Sequence, residues 1–112
     1  MCTQEKALAI AGSLSLFAKE YLGEKLYAVI VYGSYARADF NSESDIDICI
    51  LVDCPPAELE KDERPFSLIA SRLSLENDIT VSVTLRDAAT FNKYKSVLPF
   101  YGNIEREGIR IA

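Results

Sequence analysis

Hydrophobic residues fall into short runs separated by polar stretches, and the spacing within each run predicts an element. Residues 4–22 carry apolar side chains three and four positions apart, as in an amphipathic helix, and Gly23 follows as a helix stop. Residues 26–32 and 46–52 are apolar runs rich in β-branched side chains, which are typical of buried strands. In the polar stretch between them, residues 35–38 are expected to form one helical turn.

The second half of the chain continues with helical and then strand spacing. Apolar residues from 59 to 73 keep helical spacing, and Pro65 predicts a kink or a restart there because proline removes one backbone hydrogen bond. Residues 79–85 alternate between apolar and hydroxyl side chains, which is the period of a strand with two different faces. Asp87 then predicts the N-cap of a helix that runs to roughly residue 97.

The chain ends with a predicted helix over 99–107, and Gly108 separates it from a short edge strand over 109–111. Helices and strands in this order predict an α/β (α+β) fold, a small mixed sheet with helices packed on it. The chain has 112 residues, of which 49% are hydrophobic and 26% charged. This is the composition of a globular protein, and the length predicts a single domain over residues 1–112.

The charge of the chain argues against two classes of partner. With 12 Lys and Arg against 17 Asp and Glu, the net charge is −5. Direct binding to nucleic acid or to an anionic membrane is therefore not expected, because both are polyanions. No run of about 18 apolar residues is present for a transmembrane helix, and the first residues do not resemble a secretory signal.

Cysteine and histidine content narrows the chemistry further. Cys2, Cys49 and Cys54 form no C-x-x-C pair, and an odd number of cysteines suits a reducing cytoplasm better than a disulfide scaffold. Cys49 lies in an apolar run and is expected to be buried. The chain has no His, which excludes His-based triads and most zinc sites. Its chemistry must therefore use carboxylates, hydroxyls, backbone amides, Lys or Arg.

One polar segment combines the features of a phosphate site. Gly33 and Ser34 directly follow the first predicted strand, where a tight turn lets backbone N–H groups and a hydroxyl approach phosphate oxygens. After ten further residues, Asp45 and Asp47 stand two positions apart at the start of the second strand, so their side chains share one face. Two such carboxylates repel each other, and Mg²⁺ is the natural compensation because it takes oxygen ligands from carboxylates and from nucleotide phosphates.

This order of strand, Gly-Ser, ten residues and Asp-x-Asp resembles the signature of the DNA polymerase beta-like nucleotidyltransferase superfamily. The local form Gly-Ser-Tyr-Ala-Arg followed by Ser-Asp-Ile-Asp resembles its minimal nucleotidyltransferase (MNT) group, and the resemblance covers most of the chain. It implies that Gly33 and Ser34 contact the phosphates of ATP or another NTP, and that Asp45 and Asp47 are catalytic and bind Mg²⁺, with two ions expected. The implied reaction is attack of a hydroxyl on the α-phosphate, with pyrophosphate leaving.

The resemblance also implies a third carboxylate near the start of a neighbouring strand. Asp78 is the best match, as a metal ligand or catalytic base, because Asp78, Thr80 and Ser82 are expected to share one face of that strand. A second interpretation is that Asp78 only ends a turn after Asn77. If the register puts Thr80 or Ser82 at the critical position instead, the third carboxylate is missing.

Three further positions near the motif have more than one interpretation. Arg37 contacts a phosphate, or it forms an ion pair with Asp39, Glu43 or the paired carboxylates. Ala38 stands where the family usually has glycine, and because alanine tolerates a left-handed backbone poorly, the loop is expected to be slightly re-shaped. Ser44 contacts a phosphate, or it caps a backbone amide.

The resemblance extends to a partner and hence to a function. MNT proteins of this kind are often paired, as antitoxins, with HEPN proteins, which are helical and frequently ribonuclease-like toxins. This implies an enzyme that transfers AMP to a hydroxyl, such as that of a Tyr, on a partner protein. A chain of this length leaves no room for an acceptor-binding domain, so the acceptor is expected on a partner or on a homo-oligomer. Alternatives are a binding module with a vestigial site, and transfer to a small molecule or to RNA.

Overall fold

The computed structural model describes residues 2–112 and contains a mixed four-stranded sheet. In the order β3-β2-β1-β4, its strands are β1 (Leu26–Tyr32), β2 (Ile46–Val52), β3 (Val81–Asp87) and β4 (Ile109–Arg110). Strand β1 is antiparallel to both β2 and β4, whereas β2 and β3 are parallel. The end of β1 and the starts of β2 and β3 therefore lie at the same end of the sheet.

Helices pack on both faces of this sheet. They are α1 (Gln4–Leu22), α2 (Ser34–Arg37), α3 (Glu60–Asn77), α4 (Ala88–Tyr94) and α5 (Pro99–Glu107). Side-chain caps fix two of their starts: Thr3 accepts from the N–H of Lys6 at 3.1 Å, and Asp87 accepts from the N–H of Thr90 at 2.9 Å. No helix among residues 2–112 combines the length and the apolar character that crossing a membrane requires.

The alternation of side chains along the strands gives the two faces different surroundings. The larger core lies between one face and helices α1 and α3, and the strands contribute Val29, Val31, Ile46, Ile48, Ile50, Val52, Val81 and Leu85 to it. The smaller core lies on the other face, where α4 and α5 cover Ala28, Ile30, Cys49 and Leu51. Asp47 points to this second face beside the smaller core and is only half-buried. The less covered part of the second face is thus at the end of the sheet where β1 ends.

The predicted fold class and element order are confirmed, and the bounds of α1, β1 and β2 agree with the prediction. Gly23 ends α1 with a φ of 58°, as a helix stop does. The restart expected at Pro65 does not occur, because α3 runs through that residue as one helix. Helix α4 ends at Tyr94, earlier than predicted, and Leu98 is extended because it precedes a proline.

The start of β3 differs from the prediction in a way that matters for the site. The strand begins at Val81, two residues later than expected, because α3 continues further and Asp78 ends it in a left-handed conformation with a φ of 51°. The hydroxyl of Ser74 in α3 holds this junction by accepting from the N–H of Val81 at 2.9 Å. The expectation that Asp78 shares a strand face with Thr80 and Ser82 is therefore wrong.

Candidate functional site

The turn after β1 brings a glycine against a carboxylate. Gly33 has a φ of 76°, a conformation that glycine adopts without the steric cost of a side chain. A Cβ at this position would lie 2.5 Å from Oδ2 of Asp47, so contact as well as backbone conformation excludes a side chain. Helix α2 begins directly at Ser34, and the N–H groups of Ala36 and Arg37 donate to the carbonyl oxygen of Gly33 at 3.1 Å. Gly33 therefore lets the carboxylate of Asp47 lie directly against this turn.

The loop between β1 and β2 is anchored on α1. Tyr35 is buried, and its ring stacks on Phe40 with centroids 4.3 Å apart. Its carbonyl oxygen accepts a hydrogen bond of 2.9 Å from Nε2 of Gln4, and its hydroxyl donates to the carbonyl of Cys2 at 3.4 Å. These contacts attach the loop to the first residues of the chain and so hold it in position.

A second turn in the same loop leads into β2. The hydroxyl of Ser44 accepts a hydrogen bond of 2.9 Å from the N–H of Asn41, and Oδ1 of Asn41 accepts one of 2.8 Å from the N–H of Glu43. Ser44 thus caps a backbone amide, which was one of its two interpretations. Its contact with a phosphate stays a prediction.

Asp45 and Asp47 stand together at the start of β2. Asp47 follows buried Ile46, so its half-buried carboxylate points to the opposite face of the sheet, whereas Asp45 lies just before the strand and is exposed. Burial raises the pKa of Asp47, the charge of Asp45 raises it further, and the charge of Arg37 lowers it. The raised pKa means that the negative charge of Asp47 is incompletely compensated by its surroundings. A divalent cation between the two carboxylates would supply that compensation.

The cross-strand neighbours of Asp47 are a phenol and a hydroxyl. Asp47 lies opposite Tyr32 of β1 and opposite Ser82 of β3, and residues that pair in this way share a face. The hydroxyl of Tyr32 lies 3.4 Å from Oγ1 of Thr84, and burial raises the pKa of that phenol. The register thus puts Ser82 rather than a carboxylate beside Asp47.

Asp78 lies apart from this row of side chains. It is exposed at the end of α3 and lines a cavity of about 600 Å³ together with Asp45 and Lys6, whereas Asp47 is not among the residues that line it. Across residues 2–112, no three His, Cys, Asp or Glu side chains form a group that could hold a metal ion. The structure therefore brings Asp45 and Asp47 together without Asp78 as a third ligand. The role of Asp78 as ligand or base stays a prediction.

Arg37 forms ion pairs at the edge of the site. Its Nε lies 3.0 Å from Oδ2 of Asp39, as one of its interpretations predicted, and its Nη1 lies 3.4 Å from Oε2 of Glu107 at the end of α5. Both pairs are exposed, and contact of Arg37 with a phosphate stays a prediction. Ala38, which follows, adopts a left-handed backbone with a φ of 63°. The loop therefore keeps the conformation that suits glycine, although the residue is alanine.

Sequence reasoning missed two side chains on the same face. The ring of Phe100 in α5 meets that of Tyr32 edge-on with centroids 5.7 Å apart, and Cζ of Arg86 lies 5.6 Å from the Phe100 centroid. The alternation of β3 is a signal for Arg86, which shares a face with Ser82 and Thr84. No local pattern points to Phe100, because α5 reaches β1 only in the folded chain.

The chain is similar to proteins of one family over most of its length. The family model described as a nucleotidyltransferase domain matches residues 14–110. A relative from Methanocaldococcus jannaschii, provisionally named a protein adenylyltransferase, is 38% identical over 92 residues, which are 80% of this chain and 83% of the relative. A second relative with the same name and organism is 30% identical over 100 residues, 89% of this chain and 91% of the relative.

Solved structures show the same fold at lower sequence identity. A crystal structure from Sulfolobus solfataricus, provisionally described as a nucleotidyltransferase, superposes with a TM-score of 0.55 and 20% identity, covering 96% of this chain and 80% of that one. A toxin–antitoxin complex with AMP-PNP gives a TM-score of 0.51 and 16% identity, and a mutant of the toxin–antitoxin complex MntA–HpeT gives 0.52 and 16%. Each of these two covers 90% of this chain and 72% of the other.

Proposed function

Because the chain belongs to the nucleotidyltransferase domain family and is a nucleotidyltransferase, we propose that it transfers AMP from ATP to a hydroxyl on a partner protein. One observation carries the proposal: the carboxylate of Asp47 lies directly against the Gly33 turn, so closely that a Cβ on Gly33 would come 2.5 Å from its Oδ2. Ser34, through its hydroxyl and its N–H, is the proposed phosphate donor, with Arg37 and Ser44 at the edge of the site.

The reaction is a displacement at phosphorus. The hydroxyl oxygen forms a bond to the α-phosphorus, the bond from that phosphorus to the bridging oxygen breaks, and pyrophosphate leaves with the electron pair. The hydroxyl proton passes to water or to a base on the acceptor, because no further carboxylate of the described chain joins Asp45 and Asp47. The role of this chain is then to hold and orient the nucleotide while the partner brings the hydroxyl.

Mg²⁺ fits this donor set. Asp45 and Asp47 offer only oxygen ligands, one of them carries a charge that the fold leaves incompletely compensated, and residues 2–112 bring together no thiol or imidazole cluster that favours a softer metal. When bound, the ion would neutralise charge on the phosphates of the nucleotide. Asp45 and Asp47 are the residues proposed to hold it.

The proposed acceptor is a toxin of the helical HEPN type, with the present chain as its antitoxin in the cytoplasm. Two relatives carry the name of protein adenylyltransferase, and two proteins with the same fold are parts of toxin–antitoxin complexes, which supports a protein as the acceptor. The net charge of −5 gives no support to RNA as the acceptor. A tyrosine on the toxin is an acceptor of suitable chemistry.

The test is transfer of label from ATP labelled at its α-phosphate. The chain is purified together with its partner, and the partner is examined for covalent label after incubation with Mg²⁺ and labelled ATP. We expect label with the native chain, and a loss of at least about a hundredfold with Asp45→Asn or Asp47→Asn, since charge at the reacting phosphate is a large catalytic contribution. Asp53→Asn, an exposed carboxylate at the other end of β2, is the matched control and keeps full transfer.

A second candidate function is neutralisation of the partner by contact alone. The register that puts the hydroxyl of Ser82 beside Asp47, one of the two cases in which the third carboxylate is missing, favours it. This candidate predicts that the double variant Asp45→Asn, Asp47→Asn still suppresses the partner and that the native chain never transfers label. If the double variant loses both suppression of the partner and transfer of label to it, the enzymatic function is supported instead.

A further inference from the structure

The side chains on the strands beside Asp47 decide how many carboxylates this site offers to a metal ion. In the parallel register of β2 and β3, Asp47 pairs with Ser82, and the next residue of β3 on the same face, Thr84, pairs with Cys49. On the other side, Asp47 pairs with Tyr32. Neutral side chains therefore flank Asp47 on both neighbouring strands, and Asp45 is the carboxylate that accompanies it.

Two carboxylates provide few protein ligands for two metal ions. Two divalent cations about 4 Å apart, as in two-metal sites, repel four times as strongly as two unit charges at that distance. A carboxylate that reaches both ions from a second direction reduces this repulsion, and residues 2–112 contain no third Asp, Glu, Cys or His in a metal-holding group. Beside the phosphates of the nucleotide, Asp45 and Asp47 supply two negative charges, and a carboxylate at position 82 would supply a third.

We infer that this site binds one divalent cation with its nucleotide, not two, and that the residue at position 82 sets this number. The inference rests on the proposed nucleotide binding and deepens it. Ser82 is half-buried on the correct face, directly across from Asp47. A carboxylate at position 82 would face the space in front of Asp47 from β3. It would reach both ions from a direction that Asp45 and Asp47 do not cover. Asp78 does not fill this role, because it lies before the strand at the end of α3.

The experiment counts Mn²⁺ bound to the chain by electron paramagnetic resonance, in the presence of a non-hydrolysable ATP analogue at saturation. We expect about one Mn²⁺ per native chain and about two for Ser82→Asp. Ser82→Asn has the same shape as the aspartate variant without its charge, and is expected to bind about one. Thr84→Asp carries the new charge one side-chain repeat further along the same face, about 7 Å away, and is also expected to bind about one.

A second readout does not depend on counting. The apparent association constant of the nucleotide analogue is measured at a series of free Mn²⁺ concentrations, and its logarithm is plotted against the logarithm of the Mn²⁺ concentration. The slope of this plot is expected near one for the native chain and near two for Ser82→Asp. About two ions in the native chain would overturn the inference while leaving the proposed function intact, as would about one ion in a folded Ser82→Asp variant. No binding of the analogue at any Mn²⁺ concentration would overturn both. If Ser82→Asp does not fold, the native slope decides.

Discussion

Asp47 is held in the fold at an electrostatic cost, because burial and the nearby charge of Asp45 both raise the pKa of its carboxyl group. A raised pKa in the folded state means that ionisation of Asp47 destabilises the fold. The destabilisation is absent well below the ordinary pKa of about 4 and is complete above the raised value. Without divalent cations, Asp47→Asn is therefore expected to melt at a higher temperature than the native chain at neutral pH. The difference should shrink as the pH falls through that window.

Thermal unfolding followed by circular dichroism between about pH 3 and pH 8 measures this difference. Asp53→Asn is the control, because it removes an exposed carboxylate from the other end of the same strand and should change little. Added Mg²⁺ should raise the melting temperature of the native chain more than that of Asp47→Asn, since ligands stabilise the state that binds them. A native chain that is the more stable of the two at pH 7 without metal would contradict this account.

Ala38 carries a different cost, in the backbone. Its φ of 63° and ψ of 26° are left-handed values, which cost an L-residue about 1–2 kcal/mol and glycine almost nothing. Glycine loses more chain entropy on folding, which offsets about 0.5–1 kcal/mol of this difference. Ala38→Gly is therefore expected to raise the free energy of unfolding by some tenths of a kcal/mol up to about 1 kcal/mol. The urea midpoint of unfolding measures it. Ala36→Gly, in the right-handed turn of α2, should lower the stability instead. If both glycine variants change the stability in the same direction, backbone strain at Ala38 is excluded.

At the scale of elements, the junction of α5 and β4 depends on close approach. A Cβ on Gly108 would clash with the carbonyl oxygen of Ile104 and with Cγ2 of Ile30. We expect Gly108→Ala to lower the free energy of unfolding by about 1–3 kcal/mol, as overpacking does. Gly12→Ala in α1 is the matched substitution, because nothing lies within 4 Å of its added methyl group. It should stabilise by about 0.5–1 kcal/mol, and chemical denaturation of both variants tests the contrast.

Elements with a clear period were predictable from the sequence. The helical spacing of the apolar residues gave the bounds of α1, and the apolar runs gave those of β1 and β2. A short apolar run that is buried on both faces of a sheet has few other conformations available. The segment around Asp78 was not predictable in the same way. Its polar residues continue the alternation of β3 backwards, whereas the left-handed backbone there and the hydrogen bond from Val81 to Ser74 arise from contacts across a turn.

For the whole molecule, the candidate site was predictable where its residues are close in sequence. Gly33, Ser34, Asp45 and Asp47 lie in one segment, and the close approach of Asp47 to Gly33 agrees with their spacing. The partner of Asp47 on β3 was not predictable, because the register of parallel strands joined through α3 is set by helix packing and not by a turn. Phe100 reaches the site from α5 for the same kind of reason.

The alternation of β2 puts the larger core and Asp47 on opposite faces of the strand. Ile46, Ile48 and Ile50 belong to the larger core, whereas Asp47, between them, faces the ligand side. Exchanges on the ligand side, such as one at Ser82, therefore leave the larger core untouched. A fold of this kind can therefore change its chemistry through single side chains on one face of the sheet without repacking the core against α1 and α3.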